Sequence, residues 1–299
     1  MLVLLTTMHL LELICCPRCN GALRDESSHL SCDACVTRYP LLGGIPIFVD
    51  LATLPKYLQG QIKYFEHEAI TSTDEYIVEP WQKRYVERFL ENIPAIEGEV
   101  IADCGTGSAY MAIELARRGG TVIATDLSLR SVMRLRRIVA QLGLTDRVVC
   151  VCSMVEELPF CSSSVDILIS NAVLEHLQNE EAAIAEINRV CVPKASLMLT
   201  LPLSYRYVNP FLIPINYVHD KRIGHLRRYD DETIQRKFKN WTLGCTYYTG
   251  HTAKVVKTLI NMLHPVFDAQ QIENDDSSFE NKKWFASNII CFLSRMPHC

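Results

Sequence analysis

The stretch ADCGTGSAY, residues 102–110, sets Gly105 and Gly107 between a short apolar run of β type and a helical one. Glycine at such positions lets the backbone turn sharply and approach a ligand closely. A dinucleotide-binding loop has the form G-x-G-x-x-G, with a pyrophosphate on the helix N-terminus. Here the form is G-x-G-x-A, with Ala109 as the third small residue and an acid, Asp103, two residues before Gly105. A negative side chain there suits a ligand with an ammonium or sulfonium group better than one with phosphates. Asp126 ends the next apolar run, TVIATD, 19 residues after Gly107. A carboxylate at that point accepts hydrogen bonds from ribose hydroxyls, whether of NAD or of an adenosyl ligand. The competing role for Asp126 is to cap a helix over 128–141.

Outward from this loop the chain alternates strand-like and helical segments. EVIADC, TVIATD, RVVCVC, VDILIS and ASLMLTLP read as strands buried on both faces. MAIELARRGG, SVMRLRRIVAQLG and NEEAAIAEINRVC between them read as amphipathic helices. That alternation predicts an α/β fold with a parallel sheet and crossover helices. CTYYTG and FASNIICFLSR add two strands, flanking the helix TAKVVKTLINMLH and a polar loop, DAQQIENDDSSFENKK. No internal repeat is present.

Two further stretches discriminate between ligands: CSMVEELPF (152–160) after the third strand, and SVDILISNAVLEHL (164–177) over the fourth strand and its exit. With ADCGTGSAY and the Thr-Asp ending strand two, they resemble the class I S-adenosylmethionine (SAM)-dependent methyltransferases, closest to their small-molecule branch, from about Gln61 to the end of the chain. The resemblance implies a Rossmann-like seven-stranded sheet whose last strand is antiparallel, with SAM across the carboxyl ends of the strands. It implies Asp103, Gly105 and Gly107 against the methionine part, Asp126 on the ribose, and Met154 offering its backbone N–H to the adenine. Leu158 then lies beside the adenine, and Asn171 meets the methionine or sulfonium end. Three positions depart from the family: Ser153 stands where an acid often accepts from the adenine amino group, Ala109 replaces a frequent glycine, and Pro193-Lys194-Ala195 replaces a frequent PGG.

The other strong motif is at the front. Cys16-Pro-Arg-Cys19 and Cys32-Asp-Ala-Cys35 are two C-x-x-C knuckles separated by 12 residues. Two knuckles close a tetrahedral four-thiolate site for structural Zn²⁺, with no position left for a catalytic water. Metal binding must supply much of so small a segment's folding free energy, on the order of 10 kcal/mol. Cys15 adjoins the knuckle without being a ligand. From Leu10 to Asp50, including the closing YPLLGGIPIF, the segment resembles the zinc-ribbon family of the small subunit that activates tRNA, rRNA and protein methyltransferases. It implies a ribbon that docks on a methyltransferase, a partner's or its own.

These readings divide the chain into a ribbon (8–50), a helical connector or lid (51–97) and a methyltransferase domain (98–299). Tyr64, Phe65, Tyr76 and Trp81 in the connector are candidates to cover a ligand, with Pro80 starting a helix and Pro94 ending it. Between strands five and six lies an insert, from Leu203 to about Thr242, with an apolar run (VNPFLIPINYV) followed by Lys221, Arg222, Arg227 and Arg228 around His225. Apolar residues beside an Arg/His cluster suit an amphipathic acceptor with an anionic or hydroxyl-rich head. His225 and His176 are the candidate bases, needed where the acceptor must lose a proton. No N/D-P-P-Y/F follows strand four and no P-C pair is present, which argues against adenine-amino and pyrimidine-carbon methylation.

Thirteen cysteines, an odd number and mostly within apolar runs, fit a reduced cytoplasmic protein. No apolar run reaches the roughly 18 residues of a membrane span. A net charge of −4 argues against an extended nucleic-acid footprint. The expectation is a SAM-dependent methyltransferase acting on a small or lipid-linked acceptor, most readily at oxygen. The alternatives are an RNA methyltransferase, because rRNA guanine methyltransferases also carry a cysteine ribbon, and a non-catalytic SAM-binding or activator partner.

Overall fold

The computed structural model describes residues 12–71, 75–93 and 95–296. Four short antiparallel strands come first, β1 (Leu23–Asp25), β2 (His29–Cys32), β3 (Arg38–Leu42) and β4 (Ile45–Pro46), in the order of the chain. Two helices follow, α1 (Lys56–Thr71) and α2 (Pro80–Asn92). Pro80 occupies the first turn of α2 and Glu79 makes a capping box with Gln82. The helix stops before Pro94, which lies outside the described residues.

The main sheet has seven strands: β5 (Val100–Cys104), β6 (Thr121–Asp126), β7 (Val148–Cys152), β8 (Val165–Asn171), β9 (Cys191–Pro202), β10 (Trp241–Thr249) and β11 (Asn288–Arg295). Their spatial order is β10-β11-β9-β8-β5-β6-β7. β11 runs antiparallel to both neighbours, and the other pairs are parallel. Crossover helices α3 (Tyr110–Ala116), α4 (Leu129–Gln141) and α5 (Glu180–Val190) connect the first strands. The apolar runs form strands because both faces are covered: Ile101, Ala102 and Cys104 are completely buried, as are Leu168 and Ile169. The α/β class and the seven-stranded sheet with its antiparallel last strand are as expected.

Two local expectations fail. The polar stretch 268–283 is not a plain loop. It contains a helix, α9 (Ala269–Ser277), capped by Asp268, whose side chain accepts the Gln271 amide at 2.8 Å. Only Ile272, Glu273 and Asp276 turn inward there, so no apolar stripe marks the helix in the sequence. β9 starts at Cys191, directly after α5, and runs through Pro193-Lys194-Ala195, where Lys194 takes the left-handed region at φ 75° and the register with β8 shifts. The insert after β9 is mostly helical, with α6 (Ile213–Ile223) and α7 (Asp231–Lys237); α8 (Thr252–Leu263) follows β10.

The four-stranded unit is docked on the free edge of the main sheet. Ile47 pairs in parallel with Cys152 on β7, and the Phe48 amide donates to the Cys152 carbonyl at 2.9 Å. Ile14 pairs antiparallel with Phe160, and the Cys15 amide donates to Pro159 at 2.9 Å. Ile14, Leu23, Leu30 and Tyr39 belong to the same buried cluster as Leu158, Phe160 and Ile187. The unit thus covers an edge strand that would otherwise expose its backbone groups, and the two parts share a core. Among the described residues no helix is long and apolar enough to cross a membrane.

Candidate active site

β5 and β8 are neighbours in the sheet, but the chain leaves β5 toward β6 on one side and leaves β8 toward β9 on the other. That is the topological switch point at which open α/β sheets bind ligands. The loops leaving β5 and β8 both border one cavity of about 560 Å³, within the usual range for a small-molecule site. Asp103, Gly105, Gly107, Asp126, Ser153, Met154, Asn171, His176 and His225 all line it. Nine residues from five separated segments therefore meet at one place.

At one end lies the glycine loop. Gly105 and Gly107 have φ of 73° and 46°, conformations that favour glycine. A β-carbon on Gly105 would come within 2.3 Å of Val173 Cγ2, so the β5 and β8 loops touch at a point where no side chain fits. The Gly107 amide donates to Asp126 Oδ2 at 2.9 Å, and the Ser128 amide donates to Asp126 Oδ1 at 2.8 Å. The cap of α4 is Ser128, whose Oγ accepts the Ser131 amide; Asp126 closes the turn ahead of it and keeps its cavity face. Burial raises the Asp126 carboxyl, against those amide hydrogen bonds. Burial pushes Asp103 up to about 6 despite the hydrogen bond that Thr106 donates at 2.7 Å. Ser153 shares a 2.6 Å hydrogen bond with Thr125, and Asn171 Nδ2 donates to the Tyr110 hydroxyl at 2.6 Å.

At the other end stand Glu175, His176 and His225. The first two lie in a single 3₁₀ turn, Leu174–His176, at the exit of β8. His225 follows Gly224, the left-handed cap of α6. Its Nδ1 lies 3.0 Å from Asp220 Oδ1 and its Nε2 lies 3.6 Å from Glu175 Oε1. Burial alone would raise the Asp220 carboxyl, but hydrogen bonds involving His225, Arg228 and Tyr205 hold it well below the usual carboxylate range. Burial, then the neighbouring His225, pulls His176 down to about 4, so this ring is neutral at pH 7. Burial pushes Glu175 up to about 8.

Two sequence expectations about the surroundings are corrected. Arg228 does not face an acceptor. It is buried against Asp220, with Nε at 2.6 Å from Oδ2, and also donates to the Leu203 carbonyl. Arg227 donates to the carbonyls of Leu174 and Leu177 at 3.1 and 2.6 Å. Arg227 thus holds the insert on the β8 exit, and Arg228 ties α6 to the chain leaving β9. Leu158 does not line the cavity; it is fully buried and its amide donates to Glu186 at 2.8 Å.

The connector forms one wall. Leu58, Gln61, Ile62 and Phe65 of α1 and Trp81, Gln82 and Tyr85 of α2 line the cavity. Tyr57 of α1 donates to the carbonyls of His176 and Gly224 at 2.8 and 3.0 Å, which ties the wall to the histidine end. Of the four aromatic residues singled out in the sequence, Phe65 and Trp81 line the cavity. Tyr64 packs on Phe65, and Tyr76 donates to Glu114 at 3.1 Å. Tyr110, Glu156, Glu175 and His219 also line the cavity and were not singled out. Glu175 was readable only as a companion of His176 in the Leu-Glu-His triplet.

Away from the cavity, the Sγ atoms of Cys16, Cys19, Cys32 and Cys35 lie within 4.8 Å of one another. Two of the pairs, Cys16–Cys35 and Cys19–Cys32, are 3.6 and 3.4 Å apart. Tetrahedral zinc with ~2.3 Å bonds separates its sulfurs by about 3.8 Å, so the donor set fits that ion. Cys15 is turned away, its Sγ 3.2 Å from the Phe160 carbonyl.

Residues 102–199 match a methyltransferase-domain family. The chain is 32% identical over 126 residues to a malonyl-[acyl-carrier protein] O-methyltransferase of Methylovorus sp., covering 40% of this chain and 43% of that protein. It thus spans about two fifths of that relative's length. A 55-residue stretch is 40% identical to a UPF0434 protein of Hamiltonella defensa, covering 16% of this chain and 93% of that protein. Among solved structures, a putative sarcosine dimethylglycine methyltransferase from Galdieria sulphuraria superposes with a TM-score of 0.57 at 15% identity, over 80% of this chain and 98% of that one.

Proposed function

The chain belongs to the class I methyltransferases and carries a segment of the UPF0434 family; from that premise we propose that it transfers a methyl group from SAM to an oxygen of a small or lipid-linked acceptor. The observation that carries the reading is one cavity lined both by a glycine loop with the carboxylates of Asp103 and Asp126 and by a carboxylate–histidine cluster. An oxygen acceptor is supported by the malonyl-[acyl-carrier protein] relative, which by its name methylates oxygen.

The residues fit the cofactor. Asp126 offers a carboxylate at the end of β6 for the ribose hydroxyls. Gly105 and Gly107 leave the loop without side chains beside it, and Asp103 supplies negative charge for an ammonium group. Ser153 and the Met154 amide are the candidates for the adenine. When bound, SAM supplies a methyl group already activated by its sulfonium. The protein's part is to align the acceptor with that methyl and exclude water, and positioning supplies most of the acceleration in such reactions. Phe65, Trp81 and Tyr85 form the wall that does so.

His225 Nε2 is the electron-pair donor of the acceptor end. Its Nδ1 contact with Asp220 at 3.0 Å fixes the ring, so Nε2 is arranged to accept a proton from an acceptor hydroxyl. We assign Cys16, Cys19, Cys32 and Cys35 to a structural zinc ion. The unit it holds braces β7, whose carboxyl end carries Ser153 and Met154. Calorimetry with SAM, its demethylated product and NAD tests the reading: the first two should bind and NAD should not. Binding of NAD with no binding of SAM would overturn it.

A further inference from the structure

The acceptor end holds more ligand-type atoms than a proton acceptor needs. Glu175, His176 and His225 each present one such atom, and these lie within 4.8 Å of one another. Glu175 is completely buried, and neither of its carboxyl oxygens has a hydrogen-bond partner. His176 Nδ1 has none either. Buried polar atoms are nearly always partnered, so these three orphaned atoms call for a partner that the protein itself does not supply. The His225 Nε2–Glu175 Oε1 separation of 3.6 Å is too long for a hydrogen bond.

The atoms behind this cluster are the ones that metal-binding histidines need. A ligating imidazole usually gives its other N–H to a carboxylate or a backbone carbonyl, which fixes tautomer and orientation. His225 has Asp220 on Nδ1 at 3.0 Å, and Asp220 is in turn locked by Arg228 and Tyr205. The ring of His176 packs edge-on against those of Phe65 and His225. The 3₁₀ turn after β8 supplies two of the three groups. The segment after α6 supplies the third, and Tyr57 binds both segments together.

We propose that Glu175, His176 and His225 bind a divalent transition-metal ion whose open positions face the cavity. Two neutral imidazoles and one carboxylate suit Zn²⁺, Mn²⁺ or Fe²⁺ rather than an all-oxygen ion such as Ca²⁺. Bonds of about 2.0–2.2 Å place ligand atoms about 3–4 Å apart, and His225 Nε2 and Glu175 Oε1 already stand 3.6 Å apart. The proposal rests on the methyltransferase reading only for its use: an oxygen-bearing acceptor would take an open position, polarised by the ion. The ion would then occupy His225 Nε2, the nitrogen that takes the proton when no ion is bound.

The test is metal content. Full-length protein is saturated with ZnCl₂, freed of loose ions and analysed by mass spectrometry of the elements. Two zinc ions per chain are expected in the wild type, one in the four-cysteine site and one here. One is expected in Glu175→Gln and in His225→Gln. SAM affinity measured on the same samples shows that the variants are folded and separates loss of the ion from failure of the methyltransferase reading. Equal zinc content in wild type and both folded variants would overturn the proposal.

Discussion

The amide of Gly107 donates to the carboxylate of Asp126 at 2.9 Å, which links the loop after β5 to the end of β6. Asp126 therefore has two tasks, to hold the loop and to face the cavity. Asp126→Ala removes both. It should weaken SAM binding by roughly 2–3 kcal/mol, because ribose hydroxyls lose a charged acceptor and the loop loses its anchor. Asp126→Asn keeps an oxygen for the Gly107 amide and should lose less. Unchanged affinity by calorimetry in the alanine variant would remove Asp126 from the site.

Gly105→Ala should be severe for a different reason. Its new methyl meets Val173 Cγ2 at 2.3 Å, on a residue with φ of 73°. The left-handed conformation alone costs an alanine about 1–2 kcal/mol, and Ala109 in the same loop already bears it at φ 67°. The steric part is therefore the larger. Gly105→Ala should lose most SAM binding, and the double change with Val173→Ala should recover part of it. Recovery to wild-type affinity, or none, would each contradict this division.

Much of the site was legible in the sequence because it sits at strand ends, where apolar runs stop and one or two polar residues follow. Asp103, Asp126, Ser153 and Asn171 are all of that kind. The helix α9 was not legible, because a helix lying mainly in solvent buries only Ile272, Glu273 and Asp276 and shows no stripe. Nor was the use of Arg227 and Arg228. A charge run gives no sign of which members will find a buried carboxylate such as Asp220, which lies eight residues before Arg228 and meets it only because α6 and the following turn fold back. Glu175 was hidden by its surroundings in sequence, and its isolation appears only when burial is known.

The carboxyl of Asp103 is raised by burial from its ordinary 3.8 to about 6. A cationic ligand group prefers the ionised form, so SAM affinity should rise with pH through about 6, approaching tenfold per unit below that value. The opposite sign applies to ligand-free stability. A carboxyl raised on folding contributes stability that is present below pH 3.8 and lost as pH rises through about 6. Asp103→Asn should flatten both profiles. A pH-independent SAM affinity in the wild type between pH 5 and 7 would mean that Asp103 does not face the charged part of the ligand.

Removing the ribbon metal should affect the whole chain. A methyltransferase domain starting near Leu51 would have to fold without the ribbon's part of the core. The shared cluster of Ile14, Leu30 and Tyr39 with Phe160 and Leu158 argues against that, as does the pairing of Ile47 with Cys152. Cys16→Ser or strong chelation should lower a single melting transition by at least about 10 °C, at about 2–4 °C per kcal/mol for a domain of this size. A chain cut at Leu51 should aggregate. Two separate transitions, with the higher one unmoved by chelation, would show independent units instead.

The acceptor end is tested by His225 and Asp220 together. His225→Ala should lower methyl transfer by on the order of 10²-fold, the usual worth of a positioned acid or base, while SAM affinity stays the same because His225 is not among the residues assigned to the cofactor. Asp220→Asn keeps an oxygen for the hydrogen bond to Nδ1 that orients the ring, so it should lower turnover less. Arg228 packs on the same carboxylate, and its loss should appear as reduced stability before reduced turnover. Salt separates a small acceptor from RNA: binding through phosphates weakens steeply as salt is added, whereas turnover of a small or lipid-linked acceptor should hardly change. Wild-type turnover in His225→Ala would place the acceptor elsewhere, and tight, salt-sensitive RNA binding by the intact protein would replace the acceptor class proposed above.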